Sequence, residues 1–356
     1  MEGEGFDKLS PNGWETGRVN MDLTVIWAGL IAFAVLAYVV MDGFDLGIGI
    51  LFPSFRVGPE RDAAMNSVAP VWDGNETWLV LGGNGLFAAF PLAYAIVLPA
   101  LYAPLFAMLL GLVFRGVAFE FRWRDAKHRR WWDAGFFVGS IVATFAQGVT
   151  LGALLQGITV EGRAYAGGWW EWMSPFSLLT GLALVAGYAL LGVGWLMWKT
   201  EGPLHDHAKR WGRILLPATL LMLGAVSLAT PFLENQYWRR WFDWPGLLVT
   251  IPVPLLVVLA AWKAWGALTR DTHHATLFIW TLVIFFLGAA GLGVSIWPDV
   301  IPGRVTIWEA AAPEKSQLFM LVGSAVLVPA IIAYTAWAYY VFRGKVGDEG
   351  YHAHDH

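Results

Sequence analysis

Two aspartates interrupt a long apolar stretch near the start of this sequence. Asp42 and Asp45 follow residues 23–40, which contain no charged side chain. They are three positions apart and share one helix face. Two adjacent carboxylates in a low-dielectric medium disfavour joint ionisation, so one is expected to hold a proton. The pair predicts a site that handles protons or locks the helix. Alternatively, these acids cap the next turn or pair with an arginine of the adjoining loop.

A second pair of acids, Asp73 and Glu76, stands in the segment NSVAPVWDGNETWLV (66–80). As the cap of the following helix, Asp73 would form a capping box with Glu76. The alternative is that Asp73 takes up protons at the cytoplasmic end of this helix. The neighbouring residues are turn formers or candidate anchors at the membrane interface: Gly74 and Asn75 are the turn formers, and Trp72 and Trp78 are the candidate anchors.

Other polar residues in apolar surroundings have simpler expected roles. Arg115 and Glu120 are close in sequence and predict a local ion pair, with the arginine reaching toward the interface. Uncharged polar residues within the apolar stretches predict hydrogen bonds between helices: Asn84, Gln147 and Gln156.

Residues that could hold a metal or a haem are scarce. The chain has no Cys, and none of its eight His residues lies in the middle of a predicted span. A haem buried in the bilayer would normally need an axial His, Met or Cys. The tail from residue 344 to 356 carries three His residues and is expected to be solvated. The sequence therefore predicts no metal site, no cofactor and no catalytic centre in this chain alone.

The composition points to a membrane protein. Of the 356 residues, 57% are hydrophobic and only 14% are charged, whereas a soluble domain is about one quarter charged. The net charge of −4 gives no indication of nucleic-acid binding. Residues 1–20 form a polar extension that does not resemble a signal peptide.

Hydropathy predicts an all-α integral membrane protein with about nine transmembrane helices, since a helix needs about 20 apolar residues to cross the bilayer. Four helices, four more and a last one suggest two four-helix bundles plus a peripheral helix. The first span is long and is expected to bend or emerge near Gly47 and Gly49. The predicted spans lie within a single transmembrane domain (21–343), at about 23–52, 74–92, 94–119, 133–157, 175–198, 211–233, 246–268, 275–297 and 317–342.

The basic residues predict the orientation. Sixteen of the 23 Lys and Arg residues lie in the loops and helix ends that follow odd-numbered spans. Because cytoplasmic loops are enriched in Lys and Arg, the N-terminus is expected outside and the C-terminus in the cytoplasm.

Several segments together resemble subunit II of the bd-type quinol oxidases, the terminal oxidases of bacterial respiration. The resemblance runs from about residue 22 to residue 343, and DGFDLG together with WDGN at this spacing makes it specific. The matching segments are DGFDLGIG, NSVAPVWDGN, LFAAFP, FRGVAFEFR, LLQG, TIWEAAAPEKSQL and VPAIIAYTAWAYYVF.

The resemblance implies a role beside a partner. In this family subunit I binds haems b and d and the quinol, and reduces dioxygen to water. Subunit II binds no haem, is built of two four-helix bundles and an extra helix, and holds a structural quinone in some members. A proton route from the cytoplasm is thought to begin at the aspartate of WDGN, here Asp73, and the first-span acids match Asp42 and Asp45. The resemblance also implies the bacterial inner membrane and allows a small accessory subunit.

Two other functions fit the same acids and spans. One is a proton- or cation-coupled secondary transporter, although such proteins often have broken helices at the membrane midplane. The other is a purely structural membrane partner without a proton path.

Overall fold

The computed structural model describes residues 22–270 and 274–346. The polar extension (1–20) and the tail from residue 347 onward lie outside the described residues, and so do the predictions made for them.

The described chain is almost entirely helical. Eight of its helices are long and apolar enough to cross a membrane, and a bent pair of helices could supply a ninth span. The all-α membrane fold is thereby confirmed, while the division into two four-helix bundles stays a prediction. The helices are α1 (Leu23–Leu51), α2 (Pro59–Asn66), α3 (Trp72–Ala89), α4 (Pro91–Ala100), α5 (Tyr102–Arg124), α6 (Arg129–Leu155), α7 (Pro175–Lys199), α8 (Gly202–Ala229), α9 (Asn235–Phe242), α10 (Leu247–Thr250), α11 (Pro252–Thr269), α12 (Thr276–Ile296), α13 (Ile307–Ala310) and α14 (Glu314–Val341).

Two short antiparallel hairpins lie in the loops between spans. The first pairs β1 (Val160–Glu161) with β2 (Ala164–Tyr165), and the second pairs β3 (Asp299–Ile301) with β4 (Val305–Thr306). They join α6 to α7 and α12 to α13, on the side of the molecule opposite the loop that contains α2.

The region between the second and third spans differs from the sequence prediction. The chain bends by 119° between α3 and α4, and α5 begins only at Tyr102 rather than near residue 94. Phe90 leaves the helical conformation, with φ −129° and ψ 61°, and Pro91 then opens α4. Because proline has no N–H and is best tolerated in a helix's first turn, the break falls where Pro91 stands.

Glycines hold α1 tightly against its neighbours. A Cβ on Gly47 would lie 1.9 Å from the backbone oxygen of Tyr188, and one on Gly49 would lie 2.0 Å from Ser140 Oγ. Helix α1 continues to Leu51, so the chain does not leave the helical conformation at these glycines. Small residues allow backbones to approach closely, and these contacts fix α1 against α7 and α6.

The last span lies at the periphery. Gln317 is the one residue of α14 that is buried within the described chain. Near the other end, the buried Lys199 of α7 donates to the backbone oxygens of Phe342 at 2.7 Å and Gly344 at 3.3 Å. Lys199 thus satisfies carbonyl groups at the C-terminal end of α14, which a helix end otherwise leaves without partners.

Candidate functional site

The two aspartates of α1 and the second acidic segment meet in the interior of the protein. Asp42 and Asp45 are 0% and 2% exposed. Arg115 of α5, itself 1% exposed, donates from Nη1 to Asp42 Oδ1 at 2.5 Å. Its Nη2 forms a second ion pair with Glu76 of α3. One guanidinium therefore joins carboxylates from two helices.

Asp45 is held by an amide. Asn75 Nδ2 donates to Asp45 Oδ2 at 2.7 Å and also lies 3.2 Å from the backbone oxygen of Met41. The Asn75 carbonyl oxygen accepts from the hydroxyl of Tyr339 at 3.0 Å. The contact brings the peripheral helix α14 to the edge of the site.

The cluster carries more negative than positive groups. Three carboxylates, Asp42, Asp45 and Glu76, surround Arg115, and all but Glu76 are almost wholly buried. Asp42 Oδ2, Asp45 Oδ1 and Arg115 Nε have no hydrogen-bond partner within the described part of the chain. Buried charge without compensation is costly, so a group of this composition favours binding a proton.

The sequence model of the family "Cytochrome bd terminal oxidase subunit II" matches residues 23–342. This chain belongs to that family. The resemblance drawn from the motifs is confirmed.

Relatives of this subunit II chain span most of its length. Cytochrome bd-I ubiquinol oxidase subunit 2 of Escherichia coli K12 is 29% identical, over 94% of this chain and 98% of the relative. Cytochrome bd ubiquinol oxidase subunit 2 of Bacillus subtilis is 27% identical, over 90% and 96%. A chain in the structure of bd oxidase from Geobacillus thermodenitrificans superposes with a TM-score of 0.74 at 17% identity, over 90% of this chain and 99% of that one. The superposition shows a shared fold.

Asp73 lies at the surface next to this cluster. It is exposed in the first turn of α3, whose N-cap residue is Val71, and no side chain caps that end. Glu76 points to Arg115 instead of back to Asp73, so the predicted capping box is wrong. Gly74 belongs to the helix rather than to a turn. Asp73 and Glu76 remain neighbours, because residues three apart share a helix face.

The two tryptophans of this segment have different surroundings. Trp72 is half-buried, with its ring 5.1 Å from that of Phe119 and 5.9 Å from the Arg115 guanidinium. Trp78 is buried and packs edge-on against Phe33 at 5.5 Å. The anchor role predicted for Trp78 is therefore wrong, since its side chain fills the interior.

Sequence reasoning assigned Arg115 the wrong partner. Glu120 lies 3.9 Å from Arg124 on the exposed side of α5, and Arg115 pairs with α1 and α3 instead. Of the alternatives for the acids of α1, pairing with an arginine of the adjoining loop is wrong for Asp42, because Arg115 lies within α5. The available signal was an arginine inside an apolar stretch, because such a residue almost always faces the protein interior and pairs there.

The uncharged polar residues also separate into different roles. Gln147 bonds to Tyr38 and Tyr188, and Gln156 bonds to Ser174, so hydrogen bonding between elements is confirmed for both. Asn84, in contrast, is exposed on α3.

A further ion cluster, missed in the sequence, ties α2, α5 and α6 together. Arg122, 1% exposed, donates to Asp133 at 2.5 Å and lies 2.8 Å from Asp62. Arg61 shares Asp133 at 2.7 Å, and Arg129 shares Asp62 at 2.5 Å. These residues hold the loop containing α2 against the ends of two spans.

The histidines in the described part of the chain lie just before helices or in their first turns. His128 precedes α6, His205 and His207 lie in the first turns of α8, and His274 precedes α12. Within the described residues, no group of three or more His, Asp or Glu side chains is arranged to hold a metal ion.

Proposed function

We propose that this chain is the non-haem subunit of a bacterial quinol oxidase that reduces dioxygen to water. In this proposal it pairs with a haem-bearing subunit I, stabilises it and conducts protons from the cytoplasm toward it. The relatives support the assignment, because those from E. coli and B. subtilis are named as subunits of ubiquinol oxidases.

The proton path is supported by three acidic side chains whose exposure decreases in steps from the surface to the interior. Asp73 is exposed, the side chain of Glu76 is 28% exposed, and that of Asp42 is 0% exposed. Arg115 contacts both Glu76 and Asp42. With this arrangement, a proton can pass from water to an exposed acid, then to a half-buried acid, and finally to a buried one.

The chemistry divides between the two subunits. Haems b and d, which subunit I would hold, would pass electrons from the quinol to dioxygen, and this reduction consumes protons. The residues of this chain take up a proton at Asp73 and pass it inward to Glu76 and Asp42. Arg115 keeps the inner carboxylates together without becoming a proton donor, because its guanidinium stays charged in proteins. Asp45 and Asn75 support the inner end of the path.

Membrane orientation forms part of the same proposal. With the N-terminus outside and the C-terminus in the cytoplasm, the start of α3 lies at the cytoplasmic face, and Asp73 lies where protons are taken up. A structural quinone and a small accessory subunit stay predictions of the family resemblance.

The test is Asp73→Asn in the complete oxidase, with Glu120→Gln as the matched control. Glu120 is an exposed carboxylate on α5 that faces away from Arg115. We expect Asp73→Asn to lower quinol-dependent oxygen consumption about 10-fold or more, in line with the loss of a positioned proton-transfer group. The haem absorption spectrum should persist in both variants.

Three outcomes contradict parts of the proposal. Unchanged turnover at every pH removes the proton role of Asp73. Loss of the haem spectrum assigns Asp73 to assembly. Purification of the chain without a haem-bearing partner favours the transporter alternative.

A further inference from the structure

A tyrosine from another helix reaches Asp45 through an amide. The Tyr339 hydroxyl of α14 donates to Asn75 Oδ1 at 3.0 Å, and Asn75 Nδ2 donates to Asp45 Oδ2 at 2.7 Å. Each donor in this series points toward the carboxylate. The series crosses three helices, from α14 through α3 to α1.

A second series with the same direction leads toward Asp42. The Tyr188 hydroxyl of α7 donates to Gln147 Oε1 at 3.0 Å, and Gln147 Nε2 donates to the Tyr38 hydroxyl at 2.8 Å. Tyr38 lies one turn before Asp42 on α1, so the two side chains share one face of the helix. Because Tyr38 accepts from Gln147, its own proton stays available for Asp42.

Direction matters because an amide has one acceptor end and one donor end. A hydroxyl that donates to the amide oxygen leaves the NH₂ group facing the carboxylate. Without that hydroxyl, the buried amide oxygen loses its donor and the amide is free to turn. Removing one partner of a buried hydrogen bond costs more than the bond itself contributes.

We infer that Tyr339 and Tyr188 are positioning residues that orient Asp45 and Asp42 through Asn75 and through Gln147 with Tyr38. The inference rests on the proposed function, in which these carboxylates serve proton transfer. It assigns a role in the site to α14 and α7, neither of which contributes a carboxylate.

If the two tyrosines only held helices together, replacing them would leave the protonation and hydrogen bonding of the carboxyl groups unchanged. A positioning role makes the state of each carboxyl group depend on a hydroxyl that does not touch it. Other charged or titratable groups also face Asp42 and Asp45, and they remain in every variant that is measured: Arg115, Glu76 and Tyr38.

The experiment uses the purified complex with Tyr339→Phe or Tyr188→Phe, and Tyr237→Phe as the matched control. Tyr237 is also a buried tyrosine, and its hydroxyl donates to the backbone oxygen of Leu155 at 2.9 Å, outside this site. Infrared difference spectra between two pH values report the carboxyl groups. Bands lost in Asp45→Asn and Asp42→Asn identify the two aspartates.

We expect the Asp45 band to shift in Tyr339→Phe, the Asp42 band to shift in Tyr188→Phe, and neither to shift in Tyr237→Phe. Turnover should fall about two- to tenfold in both test variants, as expected for one lost hydrogen bond, with an altered pH profile. Aspartate bands identical to those of the unmodified complex would overturn the inference.

The infrared measurement keeps the two proposals distinguishable. If Asp73→Asn leaves turnover unchanged, the proton path fails, while the band shifts still report whether the tyrosines orient the acids. Tyr339→Phe changes a half-buried residue on the peripheral span, so the test remains available even if Tyr188→Phe does not assemble.

Discussion

Arg115 and Asp42 form a buried ion pair of 2.5 Å although they are 73 residues apart in the sequence. The pair joins α5 to α1, and the bond from Arg115 to Glu76 adds α3. Three spans are thus held by one guanidinium, which is buried together with Asp42. Such an arrangement depends on every partner, because a charge left alone there has no solvent to compensate it.

The first prediction concerns Arg115. Arg115→Met preserves much of the volume but leaves Asp42 and Glu76 without their cation. We expect a loss of about 3–5 kcal/mol of stability, the usual effect of removing one partner of a buried pair. Arg124→Met, which removes the exposed pair with Glu120, should cost less than about 1 kcal/mol. Tryptophan fluorescence during thermal unfolding of the purified complex measures both, and equal melting temperatures would refute the prediction.

This pair also marks a limit of sequence analysis. The charges of Asp42, Glu76 and Arg115 were each visible as unusual features of apolar segments. Their mutual contact was not, because residues 42 and 115 approach each other through tertiary packing, in which α1 and α5 both lie against α6. Proximity in sequence favoured Glu120 as the partner of Arg115, and long-range packing decided otherwise.

The second prediction concerns the contact between α1 and α7. Gly47→Ala places a Cβ 1.9 Å from the Tyr188 backbone oxygen, so the two helices must separate. We expect a loss of about 1–3 kcal/mol, typical of an overpacked interior. Gly29→Ala on the same helix meets no atom within 4 Å in the described chain and should be neutral or slightly stabilising. The melting temperatures of the two variants test this, and a similar decrease in both would contradict it.

The third prediction concerns Glu60 in the first turn of α2. Burial acts to raise the pKa of Glu60, but hydrogen bonds from the Arg56 N–H and from His207 outweigh burial and hold this pKa below its usual value. A lowered pKa means that the ionised form stabilises the fold above the usual value of about 4.3. This stabilisation is lost as the pH falls through the pKa of the folded protein.

Glu60→Gln should therefore lower the melting temperature at pH 7, and the difference from the unmodified protein should shrink as the pH falls below the usual glutamate pKa of about 4.3. Glu161→Gln, an exposed change in the first hairpin, serves as the control over the same pH series. A difference between Glu60→Gln and the unmodified protein that stays constant down to pH 3 would show that the charge of Glu60 is not responsible.

The fourth prediction concerns Lys199. Lys199→Met removes the donor to the backbone oxygens of Phe342 and Gly344, so the last turn of α14 should open more often. Hydrogen exchange at residues 338–346 should become faster, by about tenfold or more for one lost charged hydrogen bond of roughly 1.5 kcal/mol. Lys345→Met, which removes an ion pair with Glu201, is the control and should leave α14 unchanged. Equal exchange in the two variants would assign the protection to packing alone.

Much of the architecture could be predicted because the bilayer demands long apolar helices. The break at Pro91 was less accessible, since α3, α4 and α5 are all apolar and hydropathy does not register a change of direction. Trp78 illustrates the same difficulty. In a membrane protein both the interior and the lipid favour apolar side chains, so the sequence does not tell which face of a helix packs inward. The sequence shows the glycines of DGFDLGIG, but it does not show which helices pack against them.

Helix α14 is synthesised after the other described spans, yet Tyr339 completes the hydrogen bonding of Asn75, which lies 264 residues earlier. During synthesis the acids of α1 and the amide of α3 are in place long before this final donor arrives. The hydrogen bonding of the site is therefore completed only after α14 has been made. A chain stalled before α14 would hold an acidic cluster in which the buried Asn75 amide oxygen has no donor from Tyr339.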